Sequence, residues 1–169
     1  MIAFINASPL MYLGKLGLFV HLPKLYEPII TCSRVKEELL EDLSAPEHAA
    51  IDIAFSSWLS IKEPEDVAFI NKLLELNIHP GETGVLALAR ESQDDNVLII
   101  DDLAAREISR ALGLKVIGTL GILLELVKNG IVSSEEAKGS LKYLVEKTTF
   151  RISTKLYSLV LEKFEEHKG

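Results

Sequence analysis

Asn6 closes the apolar run 2–5, and Asp101 with Asp102 closes the run 97–100. Glu38, with Glu37 beside it, and Glu82 lie on amphipathic stretches that would flank the same place. In an open parallel sheet the ligand crevice lies beyond the carboxyl ends of the strands, so residues there converge even when far apart in sequence. Carboxylates with one amide suit hard cations such as Mg²⁺ or Mn²⁺, which take oxygen ligands and keep water. That chemistry supports hydrolysis of a phosphodiester by a metal-activated water. Each residue also has a plain structural role open to it: Asp102 as a helix N-cap, Glu82 as a charge complement at a helix start, Glu37 and Glu38 on a solvated face.

Other chemistries have less support. Cys32 is the single cysteine, which excludes an internal disulfide and multi-cysteine metal sites, and it reads as a small buried hydrophobe. His21, His48, His79 and His167 show no ligand spacing and read as solvated or turn residues. No phosphate-binding glycine loop occurs; the segment 118–121 has too few glycines. Arg34, Lys36, Arg106 and Arg110 are candidates for a phosphate rim, with ordinary surface positions as the alternative. A net charge of −7 argues against a broad phosphate-tracking surface, yet an acidic site holding a cation can still draw phosphate. No stretch reaches the roughly 18 apolar residues of a membrane span, and the N-terminus lacks a signal-peptide pattern, so a cytoplasmic protein is expected.

Short apolar runs alternate with amphipathic stretches, the pattern of βαβ units around a parallel sheet in a single domain over 1–169. Strands are expected at 2–5, 29–31, 58–61, 97–100 and 114–117. Ser8-Pro9 is expected to open the first helix, with Ser8 as its cap, and further helices are expected at 33–41, 49–57 and 65–76. Pro80-Gly81 reads as punctuation before a helix at 82–90. Asp102 starts another helix that Gly113 stops, and 120–127 reads as a nearly all-apolar buried helix. Ser133 with Glu136 has capping-box spacing, and Ser153 begins the last helix with Leu156, Leu159, Val160 and Phe164 on one face. The apolar stretch 116–127 suits either core or a dimer face.

Taken together these segments resemble the PIN-domain family. The opening IAFINASPLMYLGKLGLF is similar to the family's first strand and helix, with Asn6 where an aspartate is expected and Ser8 as the small hydroxyl beside it. SRVKEELLED resembles the second acidic motif, with Glu38 as the matching glutamate and Glu37 as fallback. HPGETGVLALARE, followed by NVLIIDDLAAREISRALGLKVIGTLGILLELVKNG, is the most specific part and resembles a PIN-like nucleic-acid-binding subfamily, relatives of the VapC-like toxin ribonucleases. The resemblance covers nearly the whole chain. It implies a three-layer α/β/α sandwich with a central parallel sheet of about five strands in order 3-2-1-4-5, which obeys the right-handed crossover rule. It further implies Mg²⁺ or Mn²⁺ held by Asn6, Glu38, Glu82, Asp101 and Asp102, with the four acids catalytic and Ser8 near bound water or phosphate. Single-stranded RNA as substrate, an antitoxin partner and a homodimer follow from the same likeness.

Two departures bear on activity. Asparagine at position 6 keeps an oxygen ligand but loses a charge, so cation affinity should fall. Gly84 stands where some relatives carry a further acid, leaving Glu82 alone on its helix. The leading expectation is therefore a PIN-type metal-dependent ribonuclease. The alternative is a weakened or inactive PIN-like binding or interaction module. A small-molecule phosphatase lacks its nucleophilic aspartate after the first strand.

Overall fold

The computed structural model describes residues 1–167 and divides into two compact units, Met1–Gly118 and Thr119–Gly169. The first unit holds five parallel strands: β1 (Ile2–Ile5), β2 (Ile29–Thr31), β3 (Leu59–Ile61), β4 (Asn96–Ile99) and β5 (Val116–Ile117). Their order is β3-β2-β1-β4-β5. Ala3, Phe4 and Ile5 of β1 and Val97, Leu98 and Ile99 of β4 are all buried, as expected of central strands with helices over both faces. The sheet is the three-layer α/β/α arrangement expected from the sequence.

Register aligns the strand ends. Ile5 pairs with Ile99 and Ile99 with Ile117, while Phe4 pairs with Ile30 and Thr31 with Ile61. The chain therefore leaves β1 at Asn6, β2 at Cys32 and β4 at Ile100 along one edge of the sheet. Six helices accompany these strands: α1 (Ala7–Lys15), α2 (Ser33–Leu39), α3 (His48–Ser57), α4 (Val67–Glu75), α5 (Pro80–Glu91) and α6 (Leu103–Ala111), with a 3₁₀ stretch at Phe19–Lys24. Gly113 takes φ +77° after α6 and stops it as the sequence implies. Asn77 does the same after α4 at φ 60°, a conformation asparagine tolerates better than most residues.

Helix α5 is the most enclosed. Gly81 and every residue from Thr83 to Ala89 are buried, because α5 lies on β1 and β4 with α2, α4 and α6 beside it. Its start departs from expectation. Pro80-Gly81 does not end a loop but forms the first turn, since proline's fixed φ and missing N–H suit the first helical position. The start of α1 is also corrected. Asn6, not Ser8, is the N-cap, and Ser8 and Pro9 sit inside the first turn, where the backbone N–H groups have no partner within the helix anyway.

The second unit contains α7 (Thr119–Lys128), α8 (Ser134–Lys147) and α9 (Thr154–Glu166), packed pairwise. Ile122, Leu123, Leu126 and Val127 of α7 are buried. The capping box forms as expected: Ser133 N donates to Glu136 Oε2 at 2.9 Å, and Glu136 N donates to Ser133 Oγ at 3.1 Å. Lys138 pairs with Glu135 and Glu165. On α9, Val160 and Phe164 point inward while Leu156 and Leu159 stay exposed. On α4 only Leu73 of the periodic apolar set is buried. Among the described residues no helix is long and apolar enough to cross a membrane.

Gly84 explains how α5 comes so close. A Cβ there would stand 2.6 Å from Cys32 Sγ, well inside van der Waals contact. The position faces a buried thiol and has no room for an acid. Gly84→Ala should therefore destabilise the protein by about 1–3 kcal/mol despite alanine's better helix propensity. In a Cys32→Ala background the same change should be neutral or stabilising. Thermal unfolding of the four variants of the cycle measures the coupling; equal effects in both backgrounds would show that the thiol does not set the approach.

Candidate metal centre

Asn6 follows β1 directly, and two bonds fix it. Its N–H donates to Ile99 O at 3.0 Å, tying it to the end of β4. The buried Thr31 hydroxyl donates to Ile5 O at 2.7 Å, fixing the preceding peptide from β2. The Asn6 side chain is buried, yet its Oδ1 has no hydrogen-bond partner. A buried carbonyl oxygen in that state lacks the compensation such groups almost always find.

Gly81 supplies the space around it. From the point where a Cβ on Gly81 would sit, Glu38 Oε2 is 2.9 Å away and Asn6 Oδ1 3.5 Å. Two oxygens from β1 and α2 thus converge beneath the first turn of α5, in a cradle that any side chain at 81 would fill. Glu37 pairs with Arg34 at 3.0 Å, and both line an outer pocket together with Glu38 and His79. Between the two glutamates, Glu38 is the one that turns to the crevice.

Glu82 and Asp102 approach from α5 and α6. Asp102 caps α6, accepting from Ala105 N at 2.8 Å through Oδ1 alone. Glu82 accepts a long 3.4 Å bond from His79 N. Burial pushes the Glu82 carboxyl up, with the Asp102 charge adding to it; the His79 backbone bond and charge oppose the rise, and Glu38 raises it further. Glu38, Glu82 and Asp102 therefore share one field. His79 belongs to the same group, its Nδ1 lying 3.9 Å from Glu38 Oε2. Sequence spacing gave no reason to place it there, because its role comes from standing at the N-cap of α5, between two acids.

Asp101 faces the other way. Its Oδ1 lies 2.7 Å, and Arg106 Nη1 3.0 Å, from where a Gly118 Cβ would be. Asp101 supports the charge on Arg106, although burial and Arg110 pull that guanidinium's pKa down. Of the other cations considered for a phosphate rim, Lys36 lies over the Phe55 ring at 5.0 Å. Ser8 lies on α1, lining a pocket that Glu38 also lines.

Among the described residues no three His, Cys, Asp or Glu side chains stand together as a ready-made metal cluster. The acids share one field without standing in contact, because Glu82 and Asp102 are drawn into helix caps. The orphaned Asn6 oxygen, the open cradle at Gly81 and an all-oxygen donor set fit a hard divalent cation.

A PIN-domain family model matches residues 2–166. The chain belongs to the PIN-domain family. Membership points to nuclease-type function, and PIN domains are in general divalent-metal dependent. No curated protein and no solved structure matches the chain. In this PIN domain the edge of the sheet that gathers Asn6, Glu38, Glu82 and Asp102 is the place where that chemistry would be housed.

The raised Glu82 pKa has a consequence for stability. A carboxyl that holds its proton more tightly folded than unfolded makes the native state lose stability as pH rises from the ordinary carboxylate value through the higher folded one. At neutral pH without divalent ions, Glu82→Gln should therefore melt higher than the parent, and the gap should close as pH falls below that window. Adding Mn²⁺ should raise the parent's melting temperature and leave the variant's nearly unmoved. Melting curves across pH, with and without Mn²⁺, decide this; a variant that melts lower at neutral pH would refute the repulsion.

Proposed function

We propose that the protein is a PIN-type endoribonuclease dependent on Mg²⁺ or Mn²⁺ that hydrolyses phosphodiesters in single-stranded RNA. The observation that carries this reading is the convergence of the unpartnered Asn6 Oδ1 and Glu38 Oε2 at Gly81, within the field of Glu82 and Asp102. Asn6, Glu38, Glu82 and Asp102 would hold the cation, and Asp101 would support the site beside Arg106. The bound ion would supply charge neutralisation and an activated water. The Asn6 N–H bond to Ile99 O and the Thr31 hydroxyl bond to Ile5 O fix the backbone that would present its oxygen as a ligand. Glu82, half-buried beside two acids, would take a proton from the water whose oxygen bonds to phosphorus, as the ribose oxygen leaves and takes a proton from solvent.

The same reading makes the chain a VapC-like toxin restrained by an antitoxin protein, acting in the cytoplasm as one PIN-like domain and as a homodimer. A second reading has an observation of its own. Asn6 replaces the family's aspartate, which favours a module that keeps the fold and binds nucleic acid or protein with little turnover.

Incubation of the pure protein with Mn²⁺ and single-stranded RNA tests both. Cleavage should fall by roughly 100-fold or more in Asp102→Ala and Glu38→Ala, and stop with a chelator. Asn6→Asp should raise activity at low Mn²⁺. Equal cleavage by parent and Asp102→Ala would mark a contaminating nuclease, and cleavage seen only in Asn6→Asp would establish the module instead.

A further inference from the structure

A second pocket opens beside the acidic crevice and shares Glu38 with it. It lies between α1, the end of α2 and α3, with a volume of about 200 Å³. Met11, Leu39 and Ile51 give it apolar walls, and Lys15, Glu38, Asp42 and Glu47 supply its charges. Glu47 is the unusual member. Its side chain is only 4% exposed, and Lys15 Nζ meets Oε1 at 3.0 Å. Glu47 Oε2 is buried with no hydrogen-bond partner. Its position is enforced, because a Cβ on Gly14 of α1 would stand 3.1 Å from Glu47 Cβ.

A buried carboxylate with one oxygen unpaired is costly, and each such group calls for an explanation. Among the described residues no three acids or histidines group as a ready-made metal cluster. The pocket is smaller than the roughly 300 Å³ at which drug-sized ligand sites begin, which suits one flat heterocycle. Sequence-specific recognition of single-stranded RNA works by splaying a base out between apolar or aromatic walls and bonding its Watson–Crick edge.

We propose that this pocket takes one nucleobase of the RNA strand, guanine by preference, next to the phosphate to be cut. The assignment rests on the endoribonuclease reading above. Guanine offers two N–H donors beside a carbonyl oxygen. A carboxylate has about four lone-pair sites, so Glu47 accepts both donors while Oε1 keeps Lys15. The Lys15 ammonium, already held against Glu47, donates to the guanine carbonyl. The other bases present a single donor group on that edge and leave Glu47 Oε2 or Lys15 less well matched. Because Glu38 borders both cavities, a base seated here would bring its own phosphate to the crevice.

Two measurements test this. In the first, guanosine, adenosine, cytidine and uridine monophosphates are titrated into the full chain without divalent ions, followed by NMR. The guanosine nucleotide should bind roughly tenfold tighter than the others, and Glu47→Gln should erase the difference. Met11→Trp, which narrows the pocket from a half-buried wall and leaves Glu47 in place, should abolish guanosine nucleotide binding in a folded protein; this keeps the test open if Glu47→Gln fails to fold. In the second, cut sites on mixed-sequence RNA with Mn²⁺ should cluster at guanine in the parent and spread in Glu47→Gln. Equal affinity for the four nucleotides, an unchanged guanine preference in Glu47→Gln, or displacement by arginine amide in preference to any nucleotide would overturn the base pocket. Selective nucleotide binding in a protein that cuts no RNA would sink the ribonuclease reading and leave the pocket standing.

Discussion

The sheet and the crevice both depend on how closely the first turn of α5 approaches the ends of β1 and β2. Two of its residues bear on this: Gly84 has no space for a Cβ against Cys32 Sγ, and a Cβ on Gly81 would displace the movable Glu38 carboxylate. Glycine in a helix costs about 1 kcal/mol relative to alanine, so two in one turn are a real conformational penalty. The burial of Thr83 through Ala89 offsets it. The close approach also sets where the charges go. Glu82 sits between the two glycines, so the depth of α5 carries its carboxyl into the field of Asp102 and Glu38.

The strands fix the other half of the geometry. In-register parallel pairing levels Asn6 with the end of β4, and Thr31 reaches across from β2 to hold the peptide in front of it. The backbone is therefore held from two strands where Asn6 stands, while Glu82 and Asp102 are engaged in helix caps. On the reading proposed above, a cation would meet one neutral ligand on a fixed backbone and draw the carboxylates toward it.

Much of this was legible from sequence. The run 97–100 could be read as a central strand because both of its faces are covered, and the acids after it could be placed at a strand end for the same reason. Asp102, Ser133 and Ser153 were readable as caps because capping is a local interaction. What failed to read depended on contacts distant in sequence. Periodicity groups Leu156, Leu159, Val160 and Phe164 on one side of α9, but it carries no information on what covers that side, and two of the four are exposed. Pro80-Gly81 has the composition of a turn, and only the depth of α5 shows why glycine rather than alanine follows the proline. Gly84 reads as a missing acid until its thiol neighbour is seen. His79 and Glu47 gave no signal at all, since neither has a ligand spacing and each takes its character from neighbours on other helices.

Asn6 can be understood from the same electrostatics. Its side chain is almost fully enclosed, and its oxygen has no hydrogen-bond partner. An aspartate there would place a fourth carboxylate beside Glu38, Glu82 and Asp102, at the most buried point of the group. An unpaired buried charge costs far more than an unpaired buried amide. Asparagine thus lets the fold stand without the ion, whereas aspartate would couple folding to its arrival. The loss falls on cation affinity, because three carboxylates and a neutral oxygen hold a hard cation less tightly than four carboxylates. On the reading proposed above, asparagine would favour stability of the ion-free fold and weaken metal retention, which is a different thing from abolishing the site.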